Sequence, residues 1–112
     1  MTSPSNQNNA CMIYATTASH DEALKIARAL VQEKLIACAN VLGPATAIYR
    51  WKGEVEEAQE FVVIAKTRRA LADQALARIK TLHSYDLPCA VIYDMTGGLP
   101  EYLAWIGTET AK

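Results

Sequence analysis

The sequence predicts an α+β fold: strands and helices in the order β-α-β-β-α-β, closed by a short helix, the ferredoxin-like arrangement. Three observations carry this prediction. Residues 35–67 read as two long strands folded back on each other at Trp51-Lys52-Gly53-Glu54. Two stretches with apolar residues at helical spacing flank that hairpin, and a short apolar run lies outside each of them. Right-handed crossovers then place both long helices on one face of a four-stranded antiparallel sheet.

The elements follow in order. Residues 1–10 are rich in Ser, Asn and Gln, with neither the basic nor the apolar region of a signal peptide, and are expected to form a flexible tail. Residues 11–112 then form one domain. Cys11 to Thr16 is a continuous apolar run, the pattern of a strand buried on both faces. Ser19 with Glu22 three residues later is a capping box, and Ala23, Ile26, Ala27, Leu30 and Val31 are the expected core stripe of the first helix. Lys34 falls at its far end, where a cation is favoured.

In the hairpin, Gly43-Pro44 interrupts the first arm, which places that arm at a sheet edge or at a bulge. Lys52-Gly53 is the turn; a two-residue loop pairs Arg50 with Val55 and Tyr49 with Glu56. Phe61, Val63 and Ala65 point one way and Val62 and Ile64 the other, so both faces of the return arm are apolar. Arg68 to Leu82 is the second helix, with Leu71, Ala75, Ile79 and Leu82 inward. Residues 83–88 form a loop, because Pro88 keeps Leu87 out of helical space. Cys89 to Met95 is the last strand, Pro100 opens the final helix, and Gly107 ends it.

Two helices cover only one face of such a sheet. The other is expected to be a subunit interface, with Tyr49, Trp51, Tyr102 and Trp105 as anchors. The net charge of −1, with no basic block, argues against general nucleic-acid binding. The chain also has no apolar run of the roughly 18 residues that a membrane span needs. Three cysteines without C-x-x-C spacing argue against a disulfide framework and fit a reducing cytoplasm.

Motifs for catalysis are absent: no phosphate-binding Gly-rich loop, no G-x-S-x-G, no H-E-x-x-H. The chain is therefore expected not to be an enzyme. His83 and Cys89 flank a Tyr-bearing loop, and imidazole with thiolate suits copper or zinc. Two readings stand: both are metal ligands, or His83 caps a helix end while Cys89 packs. The acidic tip (Glu54, Glu56, Glu57, Glu60) either collects hard cations or is a solvated surface that discourages edge-to-edge pairing. Cys11 and Cys38 are expected in the core, and His20 in solvent.

Four segments, EKLIACANV (33–41), YRWKGEVEEAQEFVVIAKT (49–67), H-x-Y-x-x-P (83–88) and YLAWI (102–106), together resemble the CutA divalent-cation-tolerance family. The resemblance covers residues 11–107. It implies a ferredoxin-like subunit similar to PII signalling proteins, a tight homotrimer into which the long hairpin reaches, and divalent-cation tolerance with copper as a ligand of some members. Where the family pattern reads HPYxxPE, this chain reads HSYDLPC, so a carboxylate becomes Cys89. Ala15 and Leu82 stand where copper-binding relatives have Cys and His. The resemblance places a ligand pocket at the subunit interface near His83, Tyr85, Cys89, Glu60 and Lys66, with His83 and Cys89 as metal ligands of softer preference. The alternatives are a PII-like module that reads a small metabolite and, ranked last, an acylphosphatase-type enzyme.

Overall fold

The computed structural model describes residues 9–112. The elements are β1 (Ala10–Thr17), α1 (His20–Gln32), β2 (Cys38–Trp51), β3 (Glu54–Arg68), α2 (Arg69–Leu82), β4 (Ala90–Asp94) and α3 (Pro100–Thr108). Their order is the expected one, and the sheet runs β2-β3-β1-β4 with every neighbouring pair antiparallel. Most of the tail expected over residues 1–10 lies outside the described residues. Ala10 already belongs to β1, and the Asn9 carbonyl accepts the Arg69 N–H at 2.7 Å.

Local signals explain where the helices start. The Ser19 hydroxyl accepts the Glu22 N–H at 3.1 Å, as a capping box requires. The reciprocal bond is displaced by one residue, because Glu22 Oε1 accepts from the Ala18 amide rather than from Ser19. Pro100 opens α3 with its fixed φ. Gly107 is helical and buried, so α3 runs past it to Thr108. Lys34 lies beyond α1 in a left-handed conformation, φ 60°, rather than in its last turn.

The core lies between the sheet and the two long helices. Ile13 and Ala65 from the strands meet Ile26 and Leu30 of α1 and Ala75 and Ile79 of α2, all buried. Val31 was expected in that stripe but is 40% exposed, at the margin of α1. Cys11 is buried as expected, and Cys38 is only partly covered.

The hairpin turn places Lys52 and Gly53 both at positive φ, 51° and 84°, which matches the right-handed twist of the arms. Tyr49 pairs with Glu56 and Arg50 with Val55, the register predicted for a two-residue loop. β2 is an edge strand, and it also carries a bulge. Leu42 pairs with Val62 but Ala45 with Glu60, so β2 holds one extra residue at Gly43-Pro44. β1 pairs only with Phe61–Arg68 of β3, so the rest of the hairpin projects as a two-stranded ribbon. The chain is accordingly elongated, 46 × 27 × 21 Å.

The second sheet face is covered at one end only. There α3 packs Leu103 and Ile106 against Ala10 and Ala37, with Met95 alongside. Elsewhere it presents Leu42, Val91 and Tyr93, each roughly half exposed, with Met12, Tyr14, Val62 and Ile64 partly covered between them.

Candidate functional site

A cleft of about 550 Å³ opens on this second face, where the ribbon leaves the sheet. Tyr14 and Thr16 of β1, with Glu60 of β3, form one part of its lining. Ala47, Tyr49 and Trp51 of β2 form another, and the loop before β4 adds Tyr85, Asp86, Leu87 and Cys89.

Strand periodicity puts these side chains together. Side chains alternate between faces, so Tyr14, Thr16 and Glu60 share the uncovered face. In β2 the extra residue at the bulge inverts the alternation. Before it the even positions Asn40 and Leu42 point to that face, and after it the odd positions Ala45, Ala47, Tyr49 and Trp51 do. Without the bulge, Ile48 and Arg50 would face the cleft instead.

The loop is held by hydrogen bonds. The His83 side chain is fully buried. Its Nε2 lies 2.7 Å from the Thr16 carbonyl, and its Nδ1 accepts the Tyr85 N–H at 3.0 Å. A carbonyl on one nitrogen and an N–H on the other define the neutral tautomer with its proton on Nε2. Both nitrogens are therefore engaged within the chain, so in this arrangement His83 positions the loop and has no free lone pair for a metal. The Thr16 N–H donates to the Cys89 carbonyl at 3.3 Å, which sets Cys89 beside β1 on the cleft side. The Glu22 carboxylate accepts the Ser84 N–H at 2.7 Å and ties the loop to the start of α1.

Inside the cleft the Tyr85 hydroxyl donates to Glu60 Oε2 at 3.1 Å. Burial, reinforced by the neighbouring Glu60 carboxylate, pushes the Tyr85 phenol up, so it stays a neutral donor. The described lining contains two carboxylates, Glu60 and Asp86, and no Lys or Arg. Cys89 is a free, exposed thiol.

The structure thus joins Glu60, Tyr85 and Cys89 in one cleft, adds Tyr49 and Trp51, and sets His83 behind it. Lys66 does not belong there. It lies six residues along β3 from Glu60, about 20 Å at the rise of a strand. There its ammonium meets Asn40 Oδ1 at 3.2 Å and lies 5.6 Å from the Tyr102 ring centroid. Tyr102 also approaches Cys38 Sγ at 3.4 Å and stacks on Trp105, ring centroids 5.6 Å apart. The aromatic anchors therefore fall into two groups at opposite ends of the face. His20 is exposed, with its ring against Phe61. Tyr14, Thr16, Asp86 and Leu87 were not singled out from the sequence, although the alternation of CMIYAT already set Tyr14 on the face opposite Ile13.

No three His, Cys, Asp or Glu side chains among the described residues are grouped to hold a metal ion. Cys89, Glu60 and Asp86 supply the donor types a divalent cation needs, but one chain supplies them as an incomplete set. No helix among the described residues is long and apolar enough to cross a membrane.

These features define a small α+β protein with an antiparallel sheet, one face of it bare and marked by an aromatic, acid-bearing cleft. The chain belongs to the CutA1 divalent ion tolerance protein family, whose model matches residues 11–109. It is 40% identical over 101 residues to the divalent-cation tolerance protein CutA of Pyrococcus horikoshii, covering 90% of this chain and 98% of that one. It is 33% identical over 99 residues to the chloroplastic protein CutA of Arabidopsis thaliana, covering 88% of this chain and only 54% of that protein. The crystal structure of CutA from Xylella fastidiosa superposes with a TM-score of 0.90 at 40% identity, covering 92% of this chain and 99% of that one. The Archaeoglobus fulgidus relative, TM-score 0.87 at 37% identity over 89% of this chain and 97% of that one, is described as a periplasmic divalent cation tolerance protein.

Proposed function

We propose that this chain is a homotrimeric divalent-cation tolerance protein that binds metal ions such as copper at the cleft, near subunit contacts, and catalyses no reaction. The observation that carries the reading is the cleft itself: thiol and carboxylates gathered on a bare apolar sheet face, in a chain of the divalent ion tolerance family. Covering the exposed half of Leu42 and Val91 between copies contributes roughly half of the about 1.5–3 kcal/mol that full burial of such a side chain is worth, which is the drive for assembly. Cys89 is the soft donor, Glu60 and Asp86 the hard ones, and a neighbouring copy completes the coordination. Three unpaired cysteines, one of them exposed, fit a reducing compartment, so the cytoplasm is the proposed location. A PII-like role, reading a small metabolite, is the second reading. The cleft has the volume of a small-molecule site, but its acidic lining does not suit an anionic nucleotide.

The test combines mass with metal titration. Light scattering is expected to give three times the 12.3 kDa chain mass. Copper calorimetry is expected to show saturable binding that weakens at least tenfold in Cys89→Ser. A folded monomer, or equal copper affinity in wild type and variant, would sink the reading.

A further inference from the structure

Cys38 and Lys66 are direct cross-strand partners in the β2–β3 ladder. Opposite residues on one face hold their Cβ atoms about 4.5–5.5 Å apart, so the two side chains leave the sheet together. Both lead to Tyr102 of α3. Its hydroxyl lies 3.4 Å from Cys38 Sγ, and the Lys66 ammonium lies 5.6 Å from its ring centroid. The hydrogen bond with Cys38, and then burial, push the Tyr102 phenol up, against the pull of the Lys66 charge. Asn40 holds the same ammonium through Oδ1 at 3.2 Å. Thiol, phenol and amine are thus gathered at the α3 end of the sheet, about 20 Å along β3 from Glu60.

The other two thiols are placed differently. Cys11 is buried between Thr67 and Asp94 of the neighbouring strands, and burial pushes its thiol up, away from the reactive thiolate. Cys89 is exposed in a cleft whose described lining holds no Lys or Arg.

We infer that Cys38 is a peroxide-sensitive modification site whose oxidised sulfur is captured by the Lys66 amine, bridging β2 to β3. Hydrogen peroxide first oxidises the thiol to a sulfenic acid; an S–O bond forms, the O–O bond breaks, and water leaves. The Lys66 nitrogen, having released its proton, then attacks the sulfur. The S–N bond forms and the S–O bond breaks, giving a second water. Sulfur gives up two electrons, which the peroxide takes. Excess thiol cleaves the S–N bond and restores both side chains. A bond within one chain needs no ligand volume and no open sheet face. Only peroxide must arrive, and Cys38 is partly uncovered. Because the bridge consumes the Lys66 charge, it also ends the ammonium's contacts with Asn40 and the Tyr102 ring.

The experiment treats the assembled protein with hydrogen peroxide and follows its tryptic peptides by mass. The peptides bearing Cys38 and Lys66 are expected to appear joined, about 2 Da lighter than their sum, and to separate again with dithiothreitol. Cleavage after Lys66 is expected to be lost and regained in step. Lys66→Arg keeps a positive charge but offers no attacking amine. Its Cys38 is expected to stop as sulfenic or sulfinic acid, about 16 or 32 Da heavier. Cys89→Ser is expected to form the bridge as the wild type does. Wild-type Cys38 oxidised without a link to Lys66, or joined to another cysteine instead, would overturn the proposal. So would a bridge that persists in Lys66→Arg or disappears in Cys89→Ser. Cys38 unmodified in both wild type and Lys66→Arg would overturn it too, because peroxide then does not reach the thiol.

Discussion

Glu22 uses its two carboxylate oxygens for different purposes. One accepts the Ala18 N–H and closes the start of α1, while the other accepts the Ser84 N–H and holds the loop that walls the cleft. Burial alone would raise its pKa; the hydrogen bonds from Ser84 and Ala18 outweigh burial and hold it below the usual carboxylate range. A carboxyl with a depressed folded-state pKa contributes stability above its unfolded value, and that contribution is lost as pH falls through the folded value. Glu22→Gln is therefore expected to lower stability by about 1–2 kcal/mol at pH 7. It should also flatten the loss of stability below about pH 4.5, measured by urea unfolding between pH 3 and 7. The helix-start role of Glu22 was legible from its spacing to Ser19. Its bond to Ser84 was not, because 62 residues of chain separate the partners and only the fold brings them together.

Among the elements, the hairpin decides which side chains reach the cleft. Its turn register and its bulge both follow from short-range signals, Lys52-Gly53 and Gly43-Pro44. Gly43 is required on steric grounds, because its φ is 147° and an added Cβ would stand 2.6 Å from the Phe61 ring and 3.2 Å from the Glu60 carbonyl. Gly43→Ala is expected to cost about 1–3 kcal/mol, read as a lower urea midpoint at unchanged slope. Because the bulge inverts the alternation of β2, a variant that lost it would turn Tyr49 and Trp51 away from Glu60. The sequence suggested an interruption at Gly43-Pro44. That it adds one residue, and so swaps faces, became visible only in the pairing of Leu42 with Val62 and Ala45 with Glu60.

At the scale of the molecule, the ribbon and the bare face pose one problem. A two-stranded ribbon is marginal by itself, and exposed apolar patches of this kind are uncommon on monomers. Val91 and Tyr93 sit on the edge strand β4, opposite Tyr14 and Met12 on the exposed face. Val91→Asp places an unpaired charge where the proposed contact would exclude water. It is expected to reduce the particle mass toward that of one chain in light scattering, and to remove any dependence of the thermal midpoint on protein concentration. Unchanged mass would place the subunit contact elsewhere.

The sequence alone determined the element order, the α1 cap, the hairpin register, the sheet topology and the apolar character of both sheet faces. The cap and the register depend on neighbours a few residues apart, the elements and faces on periodicity, and the topology on the handedness of the crossovers. Tertiary structure decided the membership of the site. His83 and Lys66 were grouped with Glu60, Tyr85 and Cys89, yet folding turned His83 inward onto Thr16 and Tyr85 and left Lys66 about 20 Å along β3. The reason is geometric. A buried imidazole must satisfy both nitrogens with whatever groups the fold provides, and strand length separates residues that share a face. Neither constraint is written in local sequence spacing.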